Sequence, residues 1–191
     1  MKLTGIILAG GRSSRIGEDK SFLRLGGLTL LERAINNLEH LCSEIIISKK
    51  QTVRGYEHIS FIPDEIECIG PMGGLYSCLK KSKTETNIVL SVDAPFVNNN
   101  LLNFLLSNSV SYDTTVLEFK NRIFPMPGVY KRRFLKILED KIKNKDFKMV
   151  RAIKKSKNNI IDTSEHLKFF NDKYFININT KNDLLIAEKF V

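Results

Sequence analysis

Apolar and polar positions along the chain alternate between two rhythms. Leu3–Leu8 is a short, nearly unbroken apolar run, the pattern of a strand buried on both faces. Leu30, Leu31, Ala34, Ile35, Leu38 and Leu41 then recur on one helical face, and Thr29 with Glu32 predicts a capping box at its start. Glu44–Ser48 predicts a second strand and residues 59–62 a third, stopped at Pro63-Asp64. Beyond a glycine-rich loop, residues 75–81 predict a helix, 87–92 a fourth strand and 101–106 another helix. Further on, Thr114–Phe119 and residues 126–130 predict strands, the latter cut by Pro127. Two lysine-rich helices follow, then strand-like Asn158–Asp162 and 174–178, and a last helix from Asn182.

Strands and helices that alternate through the first hundred residues or so predict an α/β fold, Rossmann-like, with a mostly parallel sheet and helices on both faces. The strand pair in the C-terminal half predicts an antiparallel addition. At 191 residues, with 42% hydrophobic residues and no repeat or linker, a single domain over 1–191 is expected. The N-terminal residues lack the pattern of a secretory leader, and no apolar run approaches about 18 residues. A cytoplasmic protein without a membrane partner is therefore expected.

Composition adds two points. Cys42, Cys68 and Cys78 are odd in number and far apart, without a metal-ligand spacing, and the apolar surroundings of Cys42 and Cys78 predict buried, reduced thiols. The net charge of +9 is concentrated in residues 131–157, which carry 12 Lys or Arg against 3 Asp or Glu. Such a patch suits phosphorylated ligands, an acidic partner or a solvated helical face. Only Phe134 and Phe147 interrupt it, which argues against a nucleic-acid stacking platform.

The chemistry concentrates where strands end. After Leu8 the chain reads Ala9-Gly10-Gly11-Arg12-Ser13-Ser14-Arg15-Ile16-Gly17-Glu18-Asp19-Lys20. Adjacent glycines let backbone N–H groups approach an anion, and Arg12, Arg15 and Lys20 supply charge to neutralise phosphates. The spacing fits neither the P-loop nor the dinucleotide fingerprint. Ser48, Asp64 and Asp93 each stand at or just after a later strand end, and parallel sheets bind ligands outside those ends. Asp93, in Ser91-Val92-Asp93-Ala94-Pro95, is the candidate for Mg²⁺, which takes one or two carboxylates plus phosphate oxygens and water. Asp64 is a candidate nucleotide contact or an ordinary turn residue, and Gly70-Pro71-Met72-Gly73-Gly74 is either a ligand-facing loop or a structural turn.

The run L-A-G-G-x-S-x-R-I-G-x-D-K resembles the signature of the small nucleotidyltransferases, and within them most resembles the molybdenum cofactor guanylyltransferases. Further motifs in the same order extend the resemblance from Leu8 to Thr180: Asp64, the loop at 70–74 with Met72 in place of leucine, Asp93-Ala94-Pro95, and Phe175-Ile176-Asn177-Ile178-Asn179-Thr180. The resemblance implies transfer of GMP from GTP to the phosphate of molybdopterin, with or without bound molybdenum, and release of pyrophosphate.

It implies that Leu8, Ala9, Gly10, Gly11, Lys20, Ser48, Asp64 and Asp93 bind the nucleotide. Asp93, Lys20 and Arg15 would carry the chemistry, with Mg²⁺ on Asp93. Gly70, Gly74, Asn177 and Asn179 would face the molybdopterin, and Arg151 is a further candidate for its phosphate. Ser48 stands where many relatives carry asparagine. Molybdoenzyme apoproteins and other cofactor-biosynthesis proteins are the implied protein partners. Two rivals stay open: a related cytidylyl- or guanylyltransferase, including one acting on a sugar or lactyl phosphate, and a non-catalytic basic adaptor for molybdoenzymes or RNA.

Overall fold

The computed structural model describes residues 2–10, 19–166 and 170–191. Its first strand, β1 (Leu3–Leu8), is buried along its whole length, as its apolar run requires. A small hairpin, β2 (Arg24–Leu25) and β3 (Leu28–Thr29), then leads into α1 (Leu30–Glu39). The hairpin turns on Gly26 and Gly27, both at positive φ (55° and 85°), the geometry of a two-residue turn with right-handed twist. Thr29 and Glu32 form the capping box at the start of α1.

β4 (Glu44–Ser48), β5 (Ser60–Ile62), α2 (Pro71–Lys81), β6 (Thr86–Ser91) and α3 (Asn99–Ser107) complete the first half. β7 (Thr114–Phe119), β8 (Arg122–Lys131), α4 (Leu135–Lys143), α5 (Met149–Lys155), β9 (Asn158–Asp162) and α6 (Lys181–Glu188) make up the second.

Seven strands form one sheet in the order β5-β4-β1-β6-β8-β7-β9. β8 alone runs antiparallel to its neighbours; every other pairing is parallel. Alternate side chains sort to the two faces, as strand geometry demands. Ile7, Ile47, Ile88 and Leu90 pack with Leu31, Ile35 and Leu38 of α1 and Leu101 and Leu105 of α3. Ile6, Ile46 and Val89 pack on the other face with Met72 and Leu75 of α2, Leu138 of α4 and Ile153 of α5. Helices therefore cover both faces.

Three local expectations are corrected. The helix expected over 75–81 begins at Pro71, because Pro71 occupies the first turn, where its missing N–H costs nothing. β8 extends from Arg122 through Pro125 and Pro127 by means of a bulge: Val116 pairs with Gly128 and the next residue, Leu117, with Phe124. The intervening prolines thus owe the ladder no donor. Residues 174–178 are not a strand. Asn171 accepts from the Lys173 N–H at 3.0 Å and starts a 3-10 turn, Asp172–Phe175, while Phe175 stacks on Phe119 with ring centres 4.3 Å apart.

The cysteines also differ among themselves. Cys78 is buried and Cys42 partly so, but Cys68 is exposed. Burial pushes the Cys42 thiol up to about 12 and raises that of Cys78 as well, so neither is a thiolate near neutrality. The basic segment is mostly a solvated face whose charges pair locally: Lys141 with Asp146 at 2.8 Å, Lys155 with Asp140 at 2.5 Å. Arg151 pairs with Asp146 at 3.4 Å. Lys131 is the exception, buried and donating to Thr86 Oγ1 at 2.7 Å. Among the described residues no helix is long and apolar enough to cross a membrane.

Candidate nucleotidyl-transfer site

Strand register decides where the polar residues meet. Leu8 pairs with Ser48 on one side and with Ser91 on the other, and Ser48 pairs with Ile62. Four carboxyl-terminal strand ends therefore lie level, and whatever follows each of them opens onto one crevice. Neighbouring strands lie about 4.8 Å apart, so Ser48 and Ser91 are separated by about 10 Å across β1, a span that a nucleotide bridges.

At one end of the crevice, Ser48 Oγ donates to Asp64 Oδ1 at 2.5 Å. Glycine walls this pair. A Cβ on Gly10 would lie 3.3 Å from Ser48 Oγ and 3.7 Å from Asp64 Oδ2. One on Gly74 would come within 2.5 Å of Ser48 Oγ, and one on Gly73 within 3.5 Å of Asp64 Oδ2. Gly70, at φ 66°, forms the cap of α2 and sends the chain into Pro71. The 70–74 segment is thus the first turn of a helix laid directly against Ser48 and Asp64. Asp64 offers one oxygen to the serine and keeps the other as an acceptor.

At the other end, Lys20 Nζ donates to Asn179 Oδ1 at 2.7 Å and lies 3.6 Å from Asp93 Oδ2. Lys20 opens a 3-10 turn, Lys20–Phe22, capped by Asp19, whose side chain accepts from the Ser21 N–H at 2.9 Å. Asp93 sits in the turn after β6. Ser91 Oγ donates to its Oδ1 at 2.6 Å, and its carbonyl accepts from the Ile178 N–H at 2.8 Å. Asn179 is held in turn by Asp183, which accepts from the Asn179 and Thr180 N–H groups at 2.9 and 2.8 Å. These hydrogen bonds, the Asn179 N–H first, hold the Asp183 carboxyl below its usual range. Asn177, two residues earlier, is exposed, with buried Ile178 between.

The fold thus brings together Leu8, Ala9, Gly10, Lys20, Ser48, Asp64, Gly70, Gly74, Asp93 and Asn179 at the carboxyl edge of the sheet. Ala9 joins them through its N–H, which donates to the Ser48 carbonyl at 3.2 Å. Gly11 and Arg15, with the rest of 11–18, lie outside the described residues. Arg151 lies on α5, exposed and turned to Asp146 rather than to this cluster. Sequence reasoning missed the supports: Ser91, Lys49, Asp183 and Asp19. Two carried a signal: Asp19, as the acid of the G-x-D-K run, and Asp183, as the third residue after Thr180 in a capping box.

Among the described residues no three His, Cys, Asp or Glu side chains cluster as a metal cage. A single carboxylate beside a lysine is what a site shared with substrate phosphates needs.

A parallel sheet with the central order third-second-first-fourth strand, and a cation and a carboxylate facing each other over its switch point, defines a nucleotide-binding α/β protein. Residues 5–159 match the MobA-like NTP transferase domain, and the chain belongs to that nucleotidyltransferase family. A probable molybdenum cofactor guanylyltransferase of Carboxydothermus hydrogenoformans is 29% identical over 184 residues, covering 95% of this chain and 92% of that one. Its counterpart in Aquifex aeolicus is 30% identical over 185 residues, covering 95% and 88%. In fold, the chain superposes on molybdopterin-guanine dinucleotide biosynthesis protein A of Archaeoglobus fulgidus with a TM-score of 0.83. That structure covers 98% of this chain and 97% of its own at 22% identity.

Proposed function

We propose that this nucleotidyltransferase joins the GMP part of GTP to the terminal phosphate of molybdopterin and releases pyrophosphate. The observation that carries the proposal is the meeting of Lys20, Asp93 and Asn179 at one strand edge, with the Ser48–Asp64 pair on the other side of β1. The names of the full-length relatives support the choice of substrates. The whole of 1–191 acts as one catalytic unit in the cytoplasm, and molybdoenzyme apoproteins and cofactor-biosynthesis proteins are its expected partners.

An oxygen of the molybdopterin phosphate forms a bond to the α-phosphorus of GTP, and the bond from that phosphorus to the bridging oxygen of the β-phosphate breaks. The nucleophile is already ionised, so the reaction needs no general base. Positioning and charge neutralisation supply the rate. Lys20, with Arg15 as a second cation, balances the charge gathering on the leaving pyrophosphate. Asp64, whose Oδ2 accepts no hydrogen bond from the described residues, takes the N–H edge of guanine. Asn179 and Asn177 face the pterin substrate, while Gly70 and Gly74, expected beside them, belong to the helix turn laid against Ser48 and Asp64 and serve the guanine end.

Asp93 would hold Mg²⁺. Its Oδ1 is fixed by Ser91 and its Oδ2 is turned to the cleft, which suits a cation that completes its shell with phosphate oxygens and water. When bound there, Mg²⁺ neutralises charge on the substrate phosphates.

The test is pyrophosphate release by the purified protein with molybdopterin and each of the four nucleoside triphosphates in turn. Release with GTP and little with the other three is expected. Release with CTP in preference would make it a cytidylyltransferase, and steeply salt-dependent RNA binding without GTP turnover would make it an adaptor.

A further inference from the structure

Lys49 follows Ser48 at the end of β4, where its backbone N–H donates to the Ile62 carbonyl at 2.9 Å. Its side chain is 8% exposed, and lysines are seldom so buried without a partner. The ammonium makes an ion pair with Asp19, lies 3.4 Å from Ser21 Oγ and stands 5.3 Å from the centre of the Phe22 ring. Each of these contacts falls on the segment that carries Lys20.

Asp19 works in two directions. Its Oδ1 caps the 3-10 turn through the Ser21 N–H, and its Oδ2 receives Lys49. Burial pushes the Asp19 carboxyl up, but the bonds from Lys49 and Ser21 outweigh burial and hold it below its usual range. Asp19 is therefore an anion at neutral pH. Lys20, from the same turn, reaches Asn179 and Asp93 instead. The turn is thus tied to the sheet by one lysine while it aims another.

We propose that Lys49 is a positioning residue for Lys20: its ion pair with Asp19 anchors the turn from which Lys20 reaches the phosphate end of the cleft. The inference rests on the reading that Lys20 meets the triphosphate. An unanchored turn leaves Lys20 free to sample directions away from the ligand, and its charge then contributes less to binding. The Ser48–Asp64 end is unaffected, so the loss falls on the β- and γ-phosphates and spares GMP.

The test is calorimetric titration of the full chain with GTP and with GMP, for wild type, Lys49→Met, Asp19→Asn, Lys20→Ala and each of the first two combined with Lys20→Ala. Asparagine caps a helical turn as aspartate does, so Asp19→Asn removes the ion pair and keeps the turn; it carries the test if Lys49→Met fails to fold. Either substitution is expected to weaken GTP about tenfold, part of what a charged hydrogen bond contributes. GMP should change by no more than about twofold, and each double variant should match Lys20→Ala within about twofold.

Equal losses for GTP and GMP, or an undiminished loss of GTP affinity in the Lys20→Ala background, would overturn the inference and leave the role of Lys20 standing. Wild-type GTP affinity in Lys20→Ala alone would instead remove Lys20 from the phosphates, and this inference with it.

Discussion

Lys20 Nζ stands 3.6 Å from Asp93 Oδ2, although one residue follows the first strand of the sheet and the other its fourth. Both side chains are largely enclosed, at 20% and 17% exposure, so their interaction is less screened than that of a surface pair. A cation and a carboxylate at this distance would, on the proposed function, address neighbouring oxygens of one polyphosphate.

Replacing Asp93 with asparagine keeps an acceptor for Ser91 and leaves the fold close to wild type. It removes the charge proposed to hold Mg²⁺. Magnesium-dependent pyrophosphate release should fall by about a hundredfold or more, with little change in melting temperature. Wild-type release by this variant would take Asp93 out of the reaction.

Lys20→Ala should weaken GTP binding by about 10- to 100-fold, the contribution of a charge-assisted hydrogen bond. The fold should suffer less than the affinity, because the bonds of Lys20 are made to the cleft and not to the core. Titration of GTP against the folded variant checks this.

The hydrogen bond from Ser48 to Asp64 gives its end of the crevice a fixed carboxylate. Ser48→Ala leaves that carboxylate without its donor. It should cost about 1–2 kcal/mol of stability and reduce discrimination between GTP and the other triphosphates. Urea unfolding together with competition binding reads both effects. Gly74→Ala should go further, because its Cβ falls within 2.5 Å of Ser48 Oγ and 3.1 Å of Ser48 Cβ. About 1–3 kcal/mol of stability and most of the nucleotide affinity should be lost.

How much of this was legible in the sequence follows from the range of the interactions. The strand ends at Leu8, Ser48, Asp64 and Asp93 were readable because a buried parallel strand is an apolar run, and a charge directly after it marks the edge. That Lys20 reaches Asp93 was readable only as a consequence of the parallel order. Ser91 and Lys49 were not readable, since a serine closing a strand and a lysine following one have ordinary solvent-facing uses. Residues 174–178 misled because alternating apolar residues suit side-chain packing without a ladder as well as they suit a strand. They pack around Phe119 and Asp93 instead.

Acid should loosen the C-terminal support of the cleft. Asp183 has its carboxyl held below the ordinary value by the N–H groups it caps, so its stabilisation is full above that value and is lost as pH falls through the lower folded one. Melting curves of wild type and Asp183→Asn should differ at neutral pH and converge below about pH 4. A difference independent of pH would contradict the assignment.

The most direct test of the account is a crystal of this protein grown with GTP and Mn²⁺ in place of Mg²⁺. The account predicts an anomalous Mn²⁺ peak on the Asp93 carboxylate, triphosphate oxygens within hydrogen-bonding reach of Lys20 Nζ, and guanine against Ser48 and Asp64. A triphosphate bound elsewhere, or lying in the cleft with its phosphates at the Ser48 end, would contradict it.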